Sequence, residues 1–385
     1  MVKVSFIYIK SDGIMKIGVP KEIKNHEYRV GLSPASAKEL ISHGHEVTIA
    51  TGAAEGIGLS DDAYKAVGAK VASSNEIIFA ENEMIIKVKE PQPNECRQLS
   101  EGQLLFTYLH LAPDPQQTEL LLESGVTAVA YETVTGPNNS LPLLAPMSEV
   151  AGRLAAQAGA HCLERAQGGI GVLMGGVPGT EPAKVLVIGG GVVGANAAYI
   201  ARGMGANVTI LDRSITTLRQ LDMEFHGKAN VVYSTQEAIE KYACAADLVI
   251  GAVLLPGASA PKLISRELIA KMKKGSVVVD VAIDQGGCLE TSKPTTHENP
   301  TFVVDGVVHY CVANMPGAVP QTSTYALNNA TLPFSLSMAN QGWRKAMQND
   351  SDLLNGLNVH QGKLCYQAVA EVQKLDYTPA VDIIS

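Results

Sequence analysis

Short apolar runs alternate with helix-like runs from Lys16 onward. Apolar runs that end at Gly, Pro or polar residues are typical of buried strands. The predicted strands cover 16–20, 45–50, 83–91, 103–112 and 124–132. Helices are predicted over 60–68 and over 35–44, where Ser33 is the expected N-cap and Pro34 the first helical residue. This alternation predicts a parallel sheet covered by helices.

The pattern changes at Ser148, where an Ala- and Gly-rich helix is predicted. The following elements are expected, in order: a helix over 148–166, a Gly-rich loop over 168–182, a strand–turn–helix–strand unit over 184–212, strands over 246–254 and 275–284, and helices over 323–348 and 363–375. The sequence therefore predicts an α/β protein of two domains with mainly parallel sheets, in which the C-terminal helices return to the first domain.

Composition excludes several classes of function. The 385 residues are 46% apolar and 18% charged, with a net charge of -8 and no long basic run. Nucleic acid and anionic membranes are therefore poor partners. The six cysteines are scattered without CxxC spacing, so we expect reduced thiols, no metal site and a cytoplasmic location. The first fourteen residues carry no signal-peptide cleavage site, and their role is unknown.

A glycine fingerprint indicates a dinucleotide site. Residues Gly189, Gly191 and Gly194 form GxGxxG between an apolar strand and a helix, and Asp212 follows about 20 residues later. Gly189 would permit the tight turn, Gly191 the approach of a pyrophosphate, and Gly194 close packing of helix on strand. A carboxylate at Asp212 would accept hydrogen bonds from ribose hydroxyls and favours NAD over NADP. Arg213 could instead accommodate a 2′-phosphate, although a solvated surface charge is the simpler interpretation.

Four polar residues lie where strands are expected to end. Arg29 follows the first strand, Lys89 and His110 end two others, and Asp284 closes a strand of the second domain. Because ligands bind beyond the carboxyl ends of parallel strands, we expect these residues in a cleft between the domains. Arg and Lys suit a substrate carboxylate, and His and Asp suit proton transfer. Taken singly, each is more commonly a solvated charge or a structural histidine. Together they favour hydride transfer involving an amino or hydroxy acid.

Long runs of the chain from about residue 15 onward resemble the alanine dehydrogenase family. The runs include GVPKEIKNHEYRVGLSPAS, IIKVKEP, FTYLHLA, LPLLAPMSEVAGRLAAQ, VIGGGVVG, VDVAIDQGGC and CVANMPGAVPQTSTYAL. The resemblance implies reversible, NAD-dependent oxidative deamination of L-alanine to pyruvate and ammonia. It implies that Arg29 and Lys89 bind the substrate and that His110 and Asp284 are catalytic. It also implies two Rossmann-like domains, usually assembled as a homo-hexamer.

The resemblance assigns a substrate domain to 15–142 with 321–385, and an NAD-binding domain to 143–320. The implied cofactor contacts, with the fingerprint included, are Ser148, Gly189, Gly191, Val192, Val193, Gly194, Asp212, Ser234, Val253, Leu254, Val281, Ala282, Ile283, Asp284, Lys293, Val312, Ala313, Asn314 and Met315. Two positions depart from the family pattern. Thr217 stands where relatives often have a basic residue, and Lys293 stands where some have Arg.

Two other functions are compatible with this fold. The NAD-binding subunit of a proton-translocating transhydrogenase shares much of the motif set, but its RQD-type loop signature is not evident here. A catalytically silent NAD-binding protein is the second alternative, because a fold alone does not establish activity. The presence of all four candidate residues favours the dehydrogenase.

Overall fold

The computed structural model describes residues 13–253 and 260–385. The chain divides into two compact units, the first made of the segment that ends at Pro146 together with Val319–Ser385, and the second of Met147–Ala318. Within the described residues, no helix has the length and apolar character needed to span a membrane. All six cysteines are free thiols.

The strands are short. They are β1 (Lys16–Val19), β2 (Glu46–Ala50), β3 (Lys70–Ala72), β4 (Met84–Ile86), β5 (Leu104–Thr107), β6 (Thr127–Ala130), β7 (Lys184–Ile188), β8 (Asn207–Asp212), β9 (Asn230–Tyr233), β10 (Leu248–Gly251), β11 (Val277–Asp280), β12 (Thr301–Val304), β13 (Val307–Tyr310), β14 (Leu357–His360) and β15 (Lys363–Leu364).

The helices connect these strands. They are α1 (Pro34–Ser42), α2 (Asp61–Lys65), α3 (Asn75–Glu81), α4 (Pro93–Cys96), α5 (Pro115–Ser124), α6 (Ala145–Cys162), α7 (Val192–Gly203), α8 (Ile215–Phe225), α9 (Gln236–Ala245), α10 (Arg266–Lys271), α11 (Pro320–Gln341), α12 (Trp343–Asn349), α13 (Ser351–Leu354), α14 (Gln367–Gln373) and α15 (Ala380–Ile384).

The first unit is built on a sheet with the order β15-β14-β6-β5-β4-β1-β2-β3. The strands from β6 to β3 pair in parallel, whereas β14 pairs with β6 and β15 with β14 in antiparallel fashion. The C-terminal segment is joined to the start of the chain, because the backbone N–H of Ser33 donates to the side-chain oxygen of Asn328 on α11 at 2.6 Å. Because β1, β4, β5 and β6 run parallel, their carboxyl ends share one edge of the sheet.

The second unit contains a sheet with the order β12-β13-β11-β10-β7-β8-β9, parallel except for the β12–β13 pair. The chain runs outward from β7 to β9 and then returns to β10 on the other side of β7. This reversal creates the switch point at which doubly wound folds bind ligands, beyond the carboxyl ends of the strands. Central residues such as Ile188, Val249 and Val278 are buried.

Several predicted elements are too long. The strands predicted over 83–91 and 103–112 end at Ile86 and Thr107, so Lys89 and His110 lie in the loops that follow. The first strand ends at Val19 because Pro20 has no N–H to donate to a sheet. Lys87 and Val88 remain buried beyond Ile86 and keep backbone hydrogen bonds to Phe106 of β5 and to Tyr108, which explains why their pattern resembled a strand.

The second unit and the C-terminus differ from the prediction in the same way. The strand predicted over 275–284 ends at Asp280, and Asp284 lies on a 3-10 helix formed by Val281–Gln285. The helix predicted over 323–348 is broken at Gly342, whose φ of 79° is left-handed. The start of the helix predicted over 363–375 is instead the short strand β15.

Candidate functional site

The fingerprint glycines of the second unit are required for different reasons. Gly189 has a φ of 100°, and a Cβ there would lie 2.7 Å from the carbonyl oxygen of Ala252. A Cβ at Gly194 would lie 1.8 Å from the carbonyl oxygen of Gly189. A Cβ at Gly191, in contrast, would meet none of the described residues within 4 Å. Protein packing therefore explains the first two glycines, whereas contacts with the described residues do not require glycine at position 191.

Asp212 lies at the end of β8, beside this turn. Its Oδ2 accepts the backbone N–H of Gly190 at 2.7 Å, and its Oδ1 accepts that of Ser214 at 2.7 Å. Each carboxylate oxygen can accept more than one hydrogen bond, so both retain capacity for ribose hydroxyls. Arg213 is exposed, and the backbone N–H of Thr217, on the first turn of α8, donates to the side-chain oxygen of the N-cap residue Ser214. The carboxylate thus links the glycine turn to the start of α8.

Most of the remaining implied cofactor contacts follow strands of the same sheet. Val253 follows β10, and Ser234 follows β9, where its N–H donates to the carbonyl of Asp212 at 2.9 Å. The described members that follow β11 and β13 are Val281, Ala282, Ile283, Asp284, Val312, Ala313, Asn314 and Met315. Their strands neighbour one another, so these loops lie along one edge. Ser148 is half-buried on the first turn of α6, and Leu254 lies outside the described residues.

The loop that carries Asp284 is fixed by Asp280, a buried residue four positions earlier in the chain. Asp280 is fully buried and caps the 3-10 helix by accepting the N–H of Ala282 at 3.1 Å. It also accepts the N–H of Cys288 at 2.9 Å and the hydroxyl of Ser292 at 2.6 Å. These bonds tie both ends of the loop together and leave the Asp284 side chain exposed. The ammonium of Lys293, another implied cofactor contact, lies over the ring of Phe302, 4.4 Å from the ring centroid.

Arg29 of the first unit is a buried residue and not a solvated surface charge. Its Nε donates to Oε1 of Glu27 at 2.6 Å, and its second guanidinium nitrogen contacts Oε2 at 2.5 Å. Both side chains are at most 2% exposed. Burial would lower the pKa of Arg29, but the charge and hydrogen bonds of Glu27, together with Tyr108 and Glu22, outweigh burial and raise that pKa. The guanidinium therefore stays charged in a desolvated position.

Lys89 belongs to a loop that is fixed by buried charges. The carboxylate of Glu22 accepts the backbone N–H of Val88 at 2.7 Å and that of Lys89 at 3.4 Å. Its other oxygen contacts the ammonium of the fully buried Lys87, which also donates to Glu95 at 2.9 Å. Burial raises the pKa of Glu22 despite Lys87. The Lys89 side chain is 14% exposed, with its ammonium 3.6 Å from Glu90.

His110 is exposed and lies in a loop organised by Glu132. The Glu132 carboxylate accepts the backbone N–H of His110 at 2.6 Å and that of Leu109 at 3.2 Å, and it lies 3.8 Å from Nδ1 of His110. The imidazole ring is stacked on Tyr108 at a centroid distance of 5.6 Å. The φ of His110 is 49°, an uncommon backbone value for a residue other than glycine. These contacts hold the imidazole at a defined position.

The structure brings the three candidates of the first unit to one sheet edge. Tyr108 links two of them, since it stacks on His110 and interacts electrostatically with Arg29. Sequence reasoning missed the three carboxylates that hold them: Glu22, Glu27 and Glu132. Their signal in the sequence is weak, because a carboxylate near a strand end is ordinarily solvated. Glu22 and Glu27 are distinguished by their burial, and the half-buried Glu132 by the backbone N–H groups that it accepts.

Comparisons with known proteins match both parts of the chain to one family. A family model described as "Alanine dehydrogenase/PNT, N-terminal domain" matches residues 18–151, and "Alanine dehydrogenase/PNT, C-terminal domain" matches 155–367. Alanine dehydrogenase of Halomonas elongata is 60% identical over 96% of this chain and 100% of its own length. Alanine dehydrogenase of Mycobacterium tuberculosis is 53% identical over the same shares.

Two solved structures extend the comparison. A structure of L-alanine dehydrogenase superposes with a TM-score of 0.91 at 53% identity, covering 94% of this chain and 99% of that one. A transhydrogenase from Sinorhizobium meliloti superposes with a TM-score of 0.79 at 25% identity, covering 92% and 99%.

Proposed function

The chain belongs to the alanine dehydrogenase/PNT family, and we propose that it catalyses the reversible, NAD-dependent oxidative deamination of L-alanine to pyruvate and ammonium. The observation that carries this proposal is the 60% identity to an alanine dehydrogenase across that relative's whole length. The transhydrogenase similarity is much lower, at 25% identity. The reaction consumes one water and transfers two electrons from the amino acid to the cofactor.

Features within the second unit support the binding of a dinucleotide. The open space at Gly191 and the left-handed turn at Gly189 support a pyrophosphate at the start of α7. The Asp212 carboxylate supports NAD as the cofactor, because it would repel a 2′-phosphate. When bound, NAD supplies a hydride acceptor for the α-carbon of alanine. The Asp284 loop, held by Asp280, lies at the same sheet edge.

The first unit supplies cations for the substrate carboxylate. Arg29 is desolvated, and a buried guanidinium binds a carboxylate more strongly than an exposed one. Lys89 contributes a second positive charge from the loop after β4. Glu27 and Glu90 lie beside these cations, so the bound carboxylate joins an existing charge network.

His110 and Asp284 are the proposed acid–base groups. The ammonium of alanine must lose a proton before hydride transfer, and water must then add to the iminium. Proton return to the departing amine completes hydrolysis and gives pyruvate. His110 is suited to these transfers near neutral pH, and Asp284 would stabilise the cationic iminium from the cofactor side. In the alternative assignment the two roles are exchanged, with Asp284 transferring protons and His110 assisting.

Initial rates with L-alanine and either NAD or NADP test the proposal. We expect NADH to appear with L-alanine and NAD, and to be consumed with pyruvate and ammonium. His110→Ala should lower kcat by roughly 10²–10⁴-fold, the usual effect of a positioned acid or base. His161→Ala is the matched control, because His161 is also exposed and has its Nδ1 near a carboxylate, that of Glu164 at 3.4 Å.

Three results would contradict the proposal. An unmodified protein that binds NADH but does not oxidise L-alanine would favour a silent NAD-binding protein. Hydride exchange between NADH and a second nucleotide without any amino acid would favour a transhydrogenase subunit. Equal losses of activity in both histidine variants would remove His110 from the chemistry.

We also propose a cytoplasmic homo-hexamer, as the family resemblance implies. Small, charged substrates and a dinucleotide that are metabolised inside the cell support that location. Light scattering after gel filtration should give about six times the chain mass of 40.6 kDa. A monomer at working concentrations would contradict the proposed assembly without affecting the proposed reaction.

A further inference from the structure

The loop that carries Lys89, between β4 and α4, begins by extending the hydrogen bonding between β4 and β5. The N–H of Lys87 donates to the carbonyl of Phe106 on β5, and the carbonyl of Val88 accepts the N–H of Tyr108. The carbonyl of Lys89 accepts the hydroxyl of Thr107 at 3.0 Å. These contacts fix the loop on the side that faces β5.

Glu22 fixes the opposite side of the loop. The neighbouring strand on that side, β1, ends at Val19, and the Glu22 carboxylate accepts the N–H groups of Val88 and Lys89 in place of a strand carbonyl. The carboxylate is itself held by Lys87, with 3.0 Å between Oε2 and the ammonium nitrogen. A buried carboxylate bound in this way has little freedom to move.

We propose that Glu22 is a positioning residue for substrate binding, acting through the backbone of Lys89. This inference rests on the proposed function, in which Lys89 binds the substrate carboxylate. Glu22 contacts the backbone on which the Lys89 side chain is mounted, so its loss displaces that ammonium without removing it. A displacement of about 1 Å at a positioned group can cost on the order of 100-fold in catalysis.

Glu95 offers a matched control. Like Glu22 it is buried, contacts Lys87 through one oxygen, and accepts a backbone N–H through the other. The N–H that Glu95 accepts belongs to Gln92, the N-cap residue of α4, three positions beyond Lys89, so Glu95 does not contact the backbone of Lys89 itself. In either residue, substitution by Gln leaves one acceptor oxygen in place of two, so the local damage is of the same kind, although Glu22 accepts three donors and Glu95 accepts two.

Steady-state kinetics of Glu22→Gln and Glu95→Gln test this role. We expect Glu22→Gln to raise KM for both L-alanine and pyruvate by roughly 10- to 100-fold, with NADH affinity unchanged within about twofold. Glu95→Gln should lower Tm similarly but leave KM within about threefold of the unmodified protein. Equal KM changes in the two variants would overturn the proposal and leave a structural role only.

A double variant shows whether the effect passes through Lys89. If it does, adding Glu22→Gln to Lys89→Ala should raise KM no further, because the positioned ammonium is already absent. Additive KM effects would overturn the proposal. Should Glu22→Gln not fold, Glu22→Asp, which keeps the charge but shortens the reach to the backbone, provides the same comparison. Failure of the unmodified protein to oxidise L-alanine would instead refute the proposed function.

Discussion

Replacing the buried Arg29–Glu27 pair is predicted to separate folding from substrate binding. Arg29→Ala alone cannot do so, because it leaves the Glu27 carboxylate buried without its bidentate partner. Both side chains are nearly inaccessible, so solvent does not screen the resulting charge. Breaking such a pair typically costs about 3–5 kcal/mol of stability. We therefore expect Arg29→Ala to lose both stability and activity.

The double variant Glu27→Gln/Arg29→Met removes both charges together. Neutral replacement of a buried pair costs much less than breaking it, so this variant should be substantially more stable than Arg29→Ala. Its kcat/KM for L-alanine should nevertheless fall by about 30-fold to several thousand-fold, the equivalent of 2–5 kcal/mol for a lost desolvated charge partner. NADH affinity should be unchanged, since Arg29 belongs to the first unit.

Urea unfolding, NADH fluorescence titration and initial rates provide the three measurements. Arg29→Lys serves as a control that keeps the charge but lacks the planar fork, and we expect it to fall between the unmodified protein and the double variant in kcat/KM. If the double variant is stable and oxidises L-alanine within a few-fold of the unmodified rate, Arg29 is structural and the proposed carboxylate site is wrong.

Three further predictions concern the second unit. Gly191→Ala should weaken NADH binding at least tenfold without loss of stability, because its methyl group would occupy the open space proposed for the ligand. Gly194→Ala should instead destabilise the fold by about 1–3 kcal/mol. Fluorescence titration measures the NADH affinity, and calorimetry measures the stability. Asp212→Ala should reduce the ratio of kcat/KM for NAD over NADP, and an unchanged ratio would remove Asp212 from cofactor selection. Asp284→Asn should lower kcat for pyruvate amination by roughly 10²–10⁴-fold while NADH still binds, and near-normal kcat would exclude it as a catalytic group.

The sequence determined the features that depend on local backbone geometry. The strand–turn–helix around Gly189 and Gly194 was predictable because a tight turn and close helix packing require glycine within a few residues. The alternation of strands and helices likewise predicted two α/β units with mainly parallel sheets, which the structure confirms. Family resemblance added candidate roles for particular residues, and those roles stay predictions.

Tertiary structure decided where strands stop and which charges are buried. The apolar pattern around Lys89 predicted a longer strand, yet β4 ended where its neighbour β1 did, although Lys87 and Val88 keep backbone hydrogen bonds to Phe106 of β5 and to Tyr108. Glu22 meets Lys89 across 67 positions in the sequence, and β14 joins the first sheet from the far end of the chain. No local pattern encodes such contacts, since a carboxylate near a strand end is compatible with either solvent or a buried partner. Long-range packing selects between the two by removing water, and a carboxylate from which water is removed must then find donors within the protein.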